Sequence, residues 1–397
     1  MSGKFLFLVA DGMGGWPLAE LGGRTVLEAA ATPAMDALAR QGLTGLARTI
    51  PPGMPPGSDV ANMSLLGFDP KAHHTGRGPI EAAAKGLKLS QDDLVWRCNL
   101  VRVSEYGPEG LMLDYCSGHM RTEQAAPLVA KLQERCAGHN GQFEFHVGVQ
   151  YRHLLVQRGA AQAPEAKAVV RPPHDISGQS IARDLELLAD YPQLSHLAAC
   201  AARVLAEPDN PTLANAIWPW GQGQTLTLPD FRSMHGLKGA VISAVDLIKG
   251  LGQAAGMSVL DVPGATGLLD TNYAGKVEAA KTFLRHGDFV FVHLEGPDEC
   301  GHGGDVPGKI EAVARFDRLV VKPLREAFPE AAVLVTCDHL TPIAKRTHVE
   351  EPVPFAFWRP GLEHNGALAF SEAQAKASGL MKDPGHRLLA WALEKGL

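Results

Sequence analysis

Three apolar segments of five or six residues place the strongest constraint on the fold of this chain. They span residues 5–10, 289–294 and 332–336 and are rich in Val and Phe. Such short apolar runs are typical of strands that are buried on both faces of a parallel sheet. Open sheets of this kind bind ligands beyond the carboxyl ends of their strands. The residues that follow each run are therefore the first candidates for a functional site.

Side chains that can bind metal ions follow these runs and also occur in two loops. They combine carboxylate, imidazole and hydroxyl groups, which suit divalent cations. The seven candidates are Asp11, Ser58, Asp298, His302, Asp338, His339 and His348. Collected at one edge of a sheet, they predict a two-metal site with a serine nucleophile.

Two of these positions carry a local signal of their own. Asp11 is followed by Gly12 and two further glycines, which let a ligand approach the backbone closely. The alternative at Asp11 is a plain turn. Asp298 and His302 are four residues apart, a spacing that allows both side chains to meet one metal ion from a turn or a first helical step. The alternative for this pair is a helix cap with a surface histidine.

The adjacent pair Asp338 and His339 comes at the end of the third apolar run. The transition from strand to loop lets neighbouring side chains turn toward one ion there, despite the alternation of a strand. His348 follows nine residues later, before an extended segment at 352–358. The alternative for His348 is an ordinary surface or core histidine.

Ser58 lies in a loop rich in Pro and Gly, PPGMPPGSD, at the predicted start of a helix. A hydroxyl at a helix N-terminus lies where the helix dipole and free N–H groups favour a phosphoryl oxygen. An uncoordinated serine is a poor nucleophile at neutral pH, so a metal ion would supply the missing basicity. The alternatives are a structural N-cap role for Ser58 and a nucleophilic role for Ser64.

Charge, hydropathy and cysteine content exclude several functions. The net charge of −6 and the pI near 6.2 come without a run of arginines, so nucleic-acid binding is not expected. Apolar stretches are shorter than the roughly 20 residues that a bilayer span requires, and no signal-peptide pattern precedes the first strand, so we expect a cytoplasmic protein without a membrane role. The six cysteines form no C-x-x-C pair, which predicts reduced thiols rather than a disulfide scaffold or a structural zinc site.

Alternating strands and helices at both ends of the chain predict a discontinuous α/β core domain. This core comprises residues 1–105 and 183–397. A Gly/Pro-rich segment opens the intervening region, in which a helix predicted at 122–136 is flanked by short strands. Residues 106–182 are therefore predicted to form an inserted, smaller α+β cap domain.

The chain resembles the archaeal-type cofactor-independent phosphoglycerate mutases, a branch of the alkaline phosphatase superfamily. The motifs that carry the likeness extend over nearly the whole length and include all seven candidate ligands. They are FLVADGMGG, GSDVANMSLLGFDP, HTGRGPIEA, WRCNL, VGVQYRHLLV, PPHDI, KGAVISAVDLIKG, VPGATGLLDTNY, FVHLEGPDECGHGGD, VTCDHLTP and HVEEPVPF. The resemblance implies an alkaline-phosphatase-like α/β fold, with a mostly parallel sheet flanked by helices.

The resemblance also implies the chemistry of the site. Two divalent ions, most often manganese, would be bound, with zinc, cobalt and magnesium as alternatives. The two ligand sets are Asp298, His302 and His348 for one ion, and Asp11, Ser58, Asp338 and His339 for the other. In such enzymes the serine takes the phosphoryl group from a small phosphorylated metabolite and returns it to a second hydroxyl. The cap would hold the rest of the substrate and exclude water.

Further residues match family positions that contact the substrate. Lys238 corresponds to a lysine near the transferred phosphate. The others are side chains suited to binding phosphate or carboxylate, namely Arg77, Asn99, Tyr151, Arg152, His153, His174 and Asp175. Each has an alternative role as an ordinary packing or ion-pair residue.

The chain departs from the family pattern at three places. DYCSGHM at 114–120 replaces a segment that usually carries three arginines, WPWGQGQ at 218–224 replaces L-R-G-A-G, and Glu295 stands where a lysine often precedes the D-x-x-x-H motif. Fewer guanidinium groups indicate a less anionic acceptor, and the pattern resembles a bacterial offshoot proposed to be a homoserine kinase. We therefore expect phosphoglycerate mutase activity, with a homoserine kinase-like phosphotransferase or a phosphomonoester hydrolase as alternatives. The oligomeric state is left open.

Overall fold

The computed structural model describes residues 3–137 and 141–396, which form a mixed α/β protein. The described residues contain thirteen strands, in chain order β1 (Phe5–Ala10), β2 (Leu43–Ala47), β3 (Leu94–Val103), β4 (Met112–Asp114), β5 (Phe143–Val149), β6 (Arg152–Gln157), β7 (Ala216–Gln224), β8 (Gly239–Ile242), β9 (Ser258–Val259), β10 (Phe289–Leu294), β11 (Ala332–Thr336), β12 (Val353–Trp358) and β13 (Met381–Lys382).

Sixteen α-helices occur in the same ranges. They are α1 (Val26–Ala29), α2 (Pro33–Gln41), α3 (Ser58–Leu65), α4 (Pro70–His73), α5 (Arg77–Ala84), α6 (Thr122–Cys136), α7 (Ala182–Ala189), α8 (Pro192–Leu205), α9 (Phe231–His235), α10 (Asp246–Ala254), α11 (Tyr273–Leu284), α12 (Gly296–Gly303), α13 (Val306–Phe316), α14 (Lys322–Ala327), α15 (Glu372–Ala377) and α16 (Arg387–Gly396). Within the described residues, no helix is both long and apolar enough to span a membrane.

The chain divides into two compact units. One comprises the chain up to His74 together with the chain from Thr227 onward, and the other comprises Thr75–Leu226. The second unit is wider on both sides than the insertion expected at 106–182. The physical reason is strand pairing, because β3 pairs with both β6 and β7 and these hydrogen bonds draw the flanking segments into one sheet.

The first unit is built on an eight-stranded sheet with the order β13-β2-β12-β11-β1-β10-β8-β9. β1 runs parallel to β10 and β11, and β8 runs parallel to β10, whereas β12 is antiparallel to β11 and β2. Every residue of β1, β10 and β11 is buried. Helices α10 and α11 pack against β8, and α2 and α15 pack against β12. The expected α/β class, with a mostly parallel sheet flanked by helices, is confirmed.

Strand register brings the carboxyl ends of the three central strands level with one another. Ala10 at the end of β1 lies opposite Leu294 at the end of β10. Val9 lies opposite Thr336, the last residue of β11. The loops that follow these three strands therefore leave the sheet side by side.

The second unit contains a five-stranded sheet in which β4, β6 and β7 pair with β3, and β5 pairs with β6. All of these pairings are antiparallel. Its core holds the fully buried Trp96 and Trp218 together with apolar side chains from α6 and α8, such as Leu132 and Leu197. An antiparallel sheet covered by helices gives this unit an α+β character.

Two cysteines form a disulfide, contrary to the prediction that all six are reduced. Cys136 at the end of α6 is bonded to Cys200 in α8, with the two Cα atoms 5.6 Å apart. The packing of α6 against α8 brings these residues together, and this Cα separation is the one that a disulfide requires. The two cysteines are 64 residues apart in the sequence, so no local motif indicated that they pair. The free cysteines are Cys98, Cys116, Cys300 and Cys337.

Candidate active site

Five of the seven predicted ligands follow the central strands of the first sheet. Asp11 comes directly after β1, Asp338 and His339 follow β11, and Asp298 and His302 lie on α12, which begins two residues after the end of β10. The level carboxyl ends of the strands bring these loops into contact. The amide of Gly12 donates a hydrogen bond to Asp338 Oδ1 at 3.1 Å.

One group of predicted ligands consists of Asp11, Asp338, His339 and Ser58. His339 Nε2 lies 3.4 Å from Asp11 Oδ1 and 3.3 Å from Asp338 Oδ2. Ser58, the first residue of α3, places its Oγ 3.1 Å from the same nitrogen. Ligand atoms of Asp11, Asp338 and His339 all lie within 4.8 Å of one another, so one cation fits among them.

The second group consists of Asp298, His302 and His348. His302 Nε2 lies 3.0 Å from His348 Nε2, and these atoms lie 3.1 Å and 3.6 Å from the two carboxylate oxygens of Asp298. His302 Nδ1 donates a hydrogen bond to the carbonyl oxygen of Arg346 at 3.0 Å, which leaves Nε2 to face the other ligands. Ligand atoms of Asp298, His339 and His348 also lie within 4.8 Å of one another, so His339 borders both groups.

The charges in this region fit a bound divalent cation. Asp11, Asp298 and Asp338 are all buried, with at most 5% of their surface exposed. Burial, followed by the charges of Asp338 and Asp298, raises the pKa of Asp11 well above its usual value. Burial also acts to raise the pKa of Asp338, but the adjacent His339 and His293 outweigh it and lower the pKa. Asp11 Oδ1 is buried without a hydrogen-bond partner among the described residues, and a metal ion would satisfy it.

Two supporting residues were not among those predicted. Asn62 Nδ2 donates to Asp338 Oδ2 at 2.8 Å and to the carbonyl oxygen of Ser58 at 2.9 Å. Its position four residues after Ser58, on the same face of a helix, was a usable signal. His293 places Nε2 3.1 Å from Asp11 Oδ2. The signal for His293 was a single polar side chain within the apolar run that forms β10.

Glu295, which departs from the family pattern, lies at the same edge of the sheet. Burial, reinforced by the charges of Glu299 and Asp298, raises the pKa of Glu295 to about 8. Lys276 on α11 is also buried, and it donates from Nζ to the carbonyl oxygen of His293 at 2.9 Å. A raised pKa favours a neutral carboxyl group near pH 7, so Glu295 is poorly suited to bind the ammonium group of an acceptor such as homoserine.

Lys238, a predicted catalytic residue, and Ser64, the alternative nucleophile, both lie away from the candidate ligands. Lys238 precedes β8 at its amino end, whereas the candidate ligands follow the carboxyl ends of the parallel strands. Its Nζ lies 5.9 Å above the ring of Phe283. The structure thus does not bring Lys238 to the site, because Lys238 lies at the opposite end of the parallel strands from the candidate ligands. The hydroxyl of Ser64 donates to the carbonyl oxygen of Thr49 at 2.6 Å and is held in the core.

Within the second unit, several predicted substrate residues lie around Trp220. Its indole N–H donates to Asn99 Oδ1 at 3.0 Å, and its ring lies 5.3 Å from that of His174. The guanidinium carbon of Arg77 lies 5.9 Å from the Trp220 ring. Arg97, which was not predicted, lies closer, at 4.3 Å.

Aromatic contacts extend this group to Tyr151 and Arg152. The ring of Tyr115 lies 6.1 Å from His174 and 5.8 Å from Tyr151. The Arg152 guanidinium lies 5.6 Å from the Tyr151 ring. Burial lowers the pKa of Arg97 to about 10, against the opposing charge of Glu81, which lies 3.0 Å from Arg97 Nε, while the positive charges of Arg77 and Arg152 lower it further. Three guanidinium groups in one region form an arrangement suited to binding anions.

His153 and Asp175 have other surroundings. His153 lies opposite Cys98 in the β3–β6 pairing, so the alternation of the strand directs it to the face opposite Arg97. Burial lowers the pKa of His153 to about 4, and its Nδ1 accepts from the amide of Gly148 at 3.0 Å. His153 is therefore a buried histidine away from the Trp220 group, and its contact with substrate stays a prediction. The Asp175 side chain is 63% exposed. Its Oδ1 lies 3.6 Å from Nε2 of His174, the preceding residue.

Comparisons with known proteins agree on one family. A family model described as 2,3-bisphosphoglycerate-independent phosphoglycerate mutase matches residues 39–207. The chain is 42% identical to the probable 2,3-bisphosphoglycerate-independent phosphoglycerate mutase of Geobacter sulfurreducens, with 99% of this chain and 100% of the relative covered. It is 43% identical to the 2,3-bisphosphoglycerate-independent phosphoglycerate mutase of Methanosarcina mazei, with 96% and 97% covered.

Solved structures show the same relationship. A protein from Pyrococcus horikoshii has a TM-score of 0.82 and 29% identity, with 99% of this chain and 97% of that chain covered. The cofactor-independent phosphoglycerate mutase from Thermoplasma acidophilum has a TM-score of 0.66 and 26% identity, with 99% of both chains covered. The fold is therefore shared over the whole chain.

A serine hydroxyl that lies against buried carboxylates and imidazoles, at the carboxyl edge of an α/β sheet, is the arrangement of a phosphotransferase-type enzyme. The relatives that match over the whole chain make this class more specific. The chain belongs to the 2,3-bisphosphoglycerate-independent phosphoglycerate mutase family, which confirms the resemblance of its sequence motifs.

Proposed function

We propose that this protein interconverts 2-phosphoglycerate and 3-phosphoglycerate through a phosphoserine at Ser58. The observation that carries the proposal is the position of Ser58 Oγ, 3.1 Å from His339 Nε2 and at the first residue of α3. A helix N-terminus offers unpaired N–H groups to phosphoryl oxygens. The hydroxyl thus lies beside candidate metal ligands and at a helix N-terminus suited to bind an anion, in a chain related over its full length to named mutases.

The site is further proposed to bind two divalent ions, with Mn²⁺ as the first choice. The donor set of carboxylate, imidazole and hydroxyl groups also accommodates zinc, cobalt and magnesium. The proposed ligands are Asp298, His302 and His348 for one ion, and Asp11, Ser58, Asp338 and His339 for the other. Bound ions would lower the pKa of the serine hydroxyl and neutralise charge on the transferred phosphoryl group.

The residues of the chain position the nucleophile for two successive transfers. Asn62 ties the carbonyl oxygen of Ser58 to Asp338, which holds the first turn of α3 against the loop after β11. In the first transfer the Ser58 oxygen bonds to phosphorus, the bond from phosphorus to the substrate oxygen breaks, and the serine proton ends on the departing hydroxyl. In the second transfer the oxygen of the neighbouring hydroxyl of the same glycerate bonds to phosphorus, the bond from phosphorus to Ser58 Oγ breaks, and the proton of that hydroxyl ends on the serine oxygen. The cycle balances without a separate phosphoryl donor.

The arginine cluster of the second unit, defined as Arg77, Arg97 and Arg152, is proposed to bind the anionic groups of the substrate. Phosphoglycerate carries a carboxylate and a phosphate, and guanidinium groups bind such oxyanions through paired hydrogen bonds. Trp220 supports the cluster by lying against Arg97. The missing arginines at 114–120 therefore do not leave the unit without guanidinium groups.

The test is isomerisation of 3-phosphoglycerate by the Mn²⁺-loaded protein without added 2,3-bisphosphoglycerate. We expect turnover by the wild type, and a loss of at least about a thousandfold in Ser58→Ala because the covalent step requires this hydroxyl. Removal of metal should abolish turnover, and added Mn²⁺ should restore it. Ser64→Ala is the matched control, because it removes a serine hydroxyl from the same helix and should retain turnover.

Two other outcomes would replace this proposal with the alternatives. Release of phosphate from 3-phosphoglycerate or an aryl phosphate, faster than isomerisation, would identify a phosphomonoester hydrolase. Phosphorylation of homoserine from a nucleotide donor, without isomerisation, would identify the homoserine kinase-like phosphotransferase.

A further inference from the structure

The two candidate metal groups share a hydroxyl, that of Thr341. This residue is fully buried, and its Oγ1 hydrogen-bonds to Asp298 Oδ1. The same oxygen lies 3.2 Å from His339 Nδ1. Asp298 belongs to one group and His339 to the other, so one side chain connects ligands from both.

The direction of these hydrogen bonds follows from the chemistry of the three groups. An ionised carboxylate only accepts, so the Thr341 hydroxyl donates its proton to Asp298. A hydroxyl has a single proton, so its oxygen must accept from His339, whose Nδ1 therefore carries hydrogen. His339 Nε2 is left with a free lone pair, and it is this atom that lies 3.4 Å from Asp11 Oδ1 and 3.1 Å from Ser58 Oγ. The hydroxyl thus sets the form of His339 that binds a cation.

Packing holds the Thr341 side chain in this orientation. Lys309 Nζ donates to the Thr341 carbonyl oxygen at 2.6 Å, and the Thr341 amide donates to the carbonyl oxygen of Gly14 at 3.3 Å. A Cβ atom built at Gly12 would lie 2.6 Å from Thr341 Oγ1, and one built at Gly301 would lie 2.8 Å from its methyl carbon. Both branches of the side chain therefore lie in close contact with glycine backbone.

We propose that Thr341 is a positioning residue that couples the two metal sites. Its hydroxyl keeps His339 in the Nδ1–H form and orients Asp298, so an ion bound in one group stabilises a ligand arrangement that the other group needs. This inference rests on the proposed function only in requiring that both groups bind divalent ions. Outer partners of metal ligands typically change metal affinity by about 10- to 100-fold, and a partner shared by two sites acts on both.

The first test is calorimetric titration of Mn²⁺ into metal-free wild type, Thr341→Val and Thr341→Ser. Valine keeps the shape of threonine without the hydroxyl, and serine keeps the hydroxyl. Thr44→Val is the matched control, because Thr44 is fully buried in the same unit and its hydroxyl has no hydrogen-bond partner among the described residues. We expect Thr341→Val to weaken both binding events at least about tenfold, Thr341→Ser to stay within about threefold of wild type, and Thr44→Val to bind as wild type does.

The second test reads the protonated ring nitrogen of His339 directly. In metal-free protein labelled with nitrogen-15 at histidine, NMR should show the Nδ1–H form in wild type and Thr341→Ser. A mixture of forms is expected in Thr341→Val, and His339→Gln identifies the signal. Circular dichroism of each variant checks that the fold is retained.

Several results would overturn the inference. They are equal Mn²⁺ affinities in Thr341→Val and wild type, an unchanged form of His339 in Thr341→Val, or equal weakening in Thr44→Val. The proposed function is judged separately by isomerisation of 3-phosphoglycerate. If wild type binds two ions without isomerisation while the Thr341→Val effect remains, the proposed function fails and the coupling stands.

Discussion

Lys309 and Glu372 bind opposite ends of a single peptide bond in the glycine-rich turn after β1. Lys309 Nζ donates to the carbonyl oxygen of Gly14 at 3.3 Å, and the amide of Gly15 donates to Glu372 Oε1 at 2.9 Å. Side chains of α13 and α15 thus hold the turn that follows Asp11. The turn that carries Asp11 is therefore held by Lys309, which is 295 residues from Gly14, and by Glu372, which is 357 residues from Gly15.

Removal of the Glu372 carboxylate should destabilise this turn. Glu372→Ala leaves the Gly15 amide and the Thr25 hydroxyl, which donates to Glu372 Oε2 at 2.8 Å, without their acceptor. Such unsatisfied groups cost about 1–3 kcal/mol each, less where water can enter, so we expect the free energy of unfolding in urea to fall by about 2 kcal/mol. Glu326→Ala on α14, where the side chain is 66% exposed, is the control and should change it by less than about 0.5 kcal/mol. Equal effects of the two substitutions would contradict the prediction.

Substitution of Gly12 should be more damaging than its backbone angle alone explains. Gly12 has a φ of 59°, and a Cβ atom there would lie 2.5 Å from Asp298 Oδ1 and 2.9 Å from Asp298 Cα. We expect Gly12→Ala to lower the free energy of unfolding by about 3 kcal/mol or more, from left-handed strain plus overpacking. Gly22→Ala isolates the strain, because Gly22 has a φ of 66° and no atom within 4 Å of an added Cβ. If Gly22→Ala lowers the free energy of unfolding in urea as much as Gly12→Ala does, the close contact with Asp298 is not the cause of the destabilisation.

The stability of the metal-free protein should fall as pH rises through the titration of His302. Its hydrogen bond with Asp298 raises the pKa of His302 from 6.5 to about 9. The folded protein therefore keeps a proton that the unfolded chain has lost in this range, so the stabilisation is complete below about pH 6.5 and disappears as pH rises through about 9. The measurement is the difference in unfolding free energy between wild type and His302→Asn across this range. A difference that does not vary with pH would refute the assignment.

Substitution within the arginine cluster should weaken substrate binding. Arg152 is exposed, so Arg152→Met should leave the fold intact while removing a guanidinium group from the cluster. A lost charged hydrogen bond costs about 1.5–3 kcal/mol, which corresponds to a KM for 3-phosphoglycerate that is raised about tenfold or more. Arg203→Met, at an exposed arginine on α8 of the same unit, is the control. The prediction fails if steady-state assays give the same KM for both variants.

Elements with a strong local signal were predicted accurately. The apolar runs at 5–10, 289–294 and 332–336 coincide with β1, β10 and β11, and the helix predicted at 122–136 coincides with α6. An uninterrupted apolar run or a helical period over several turns needs no information from the rest of the chain. The candidate metal ligands at strand ends were predicted for the same reason.

Elements that depend on distant partners were missed or misplaced. β8, which is not among the strands predicted from apolar runs, is four residues long and is a strand because it pairs with β10. The segment 218–224, interpreted as a departure from the family pattern, forms most of β7 and pairs with β3. Short strands take their conformation from hydrogen bonds to neighbouring strands more than from their own preference.

The amino-acid sequence by itself determined the family, the apolar strands and the side chains that are available to bind metal and phosphate. Only the tertiary structure decided which of these side chains meet. Ser58 and His339 are 281 residues apart, and Asp298 and Thr341 are 43 residues apart, yet each pair is in hydrogen-bond contact. Asp298 follows β10 and Thr341 follows β11, so their contact depends on the register of parallel strands, whereas Ser58 is held near His339 by α3, which Asn62 ties to Asp338. Both contacts arise from pairing and packing across the whole unit, and no single segment of the chain encodes them.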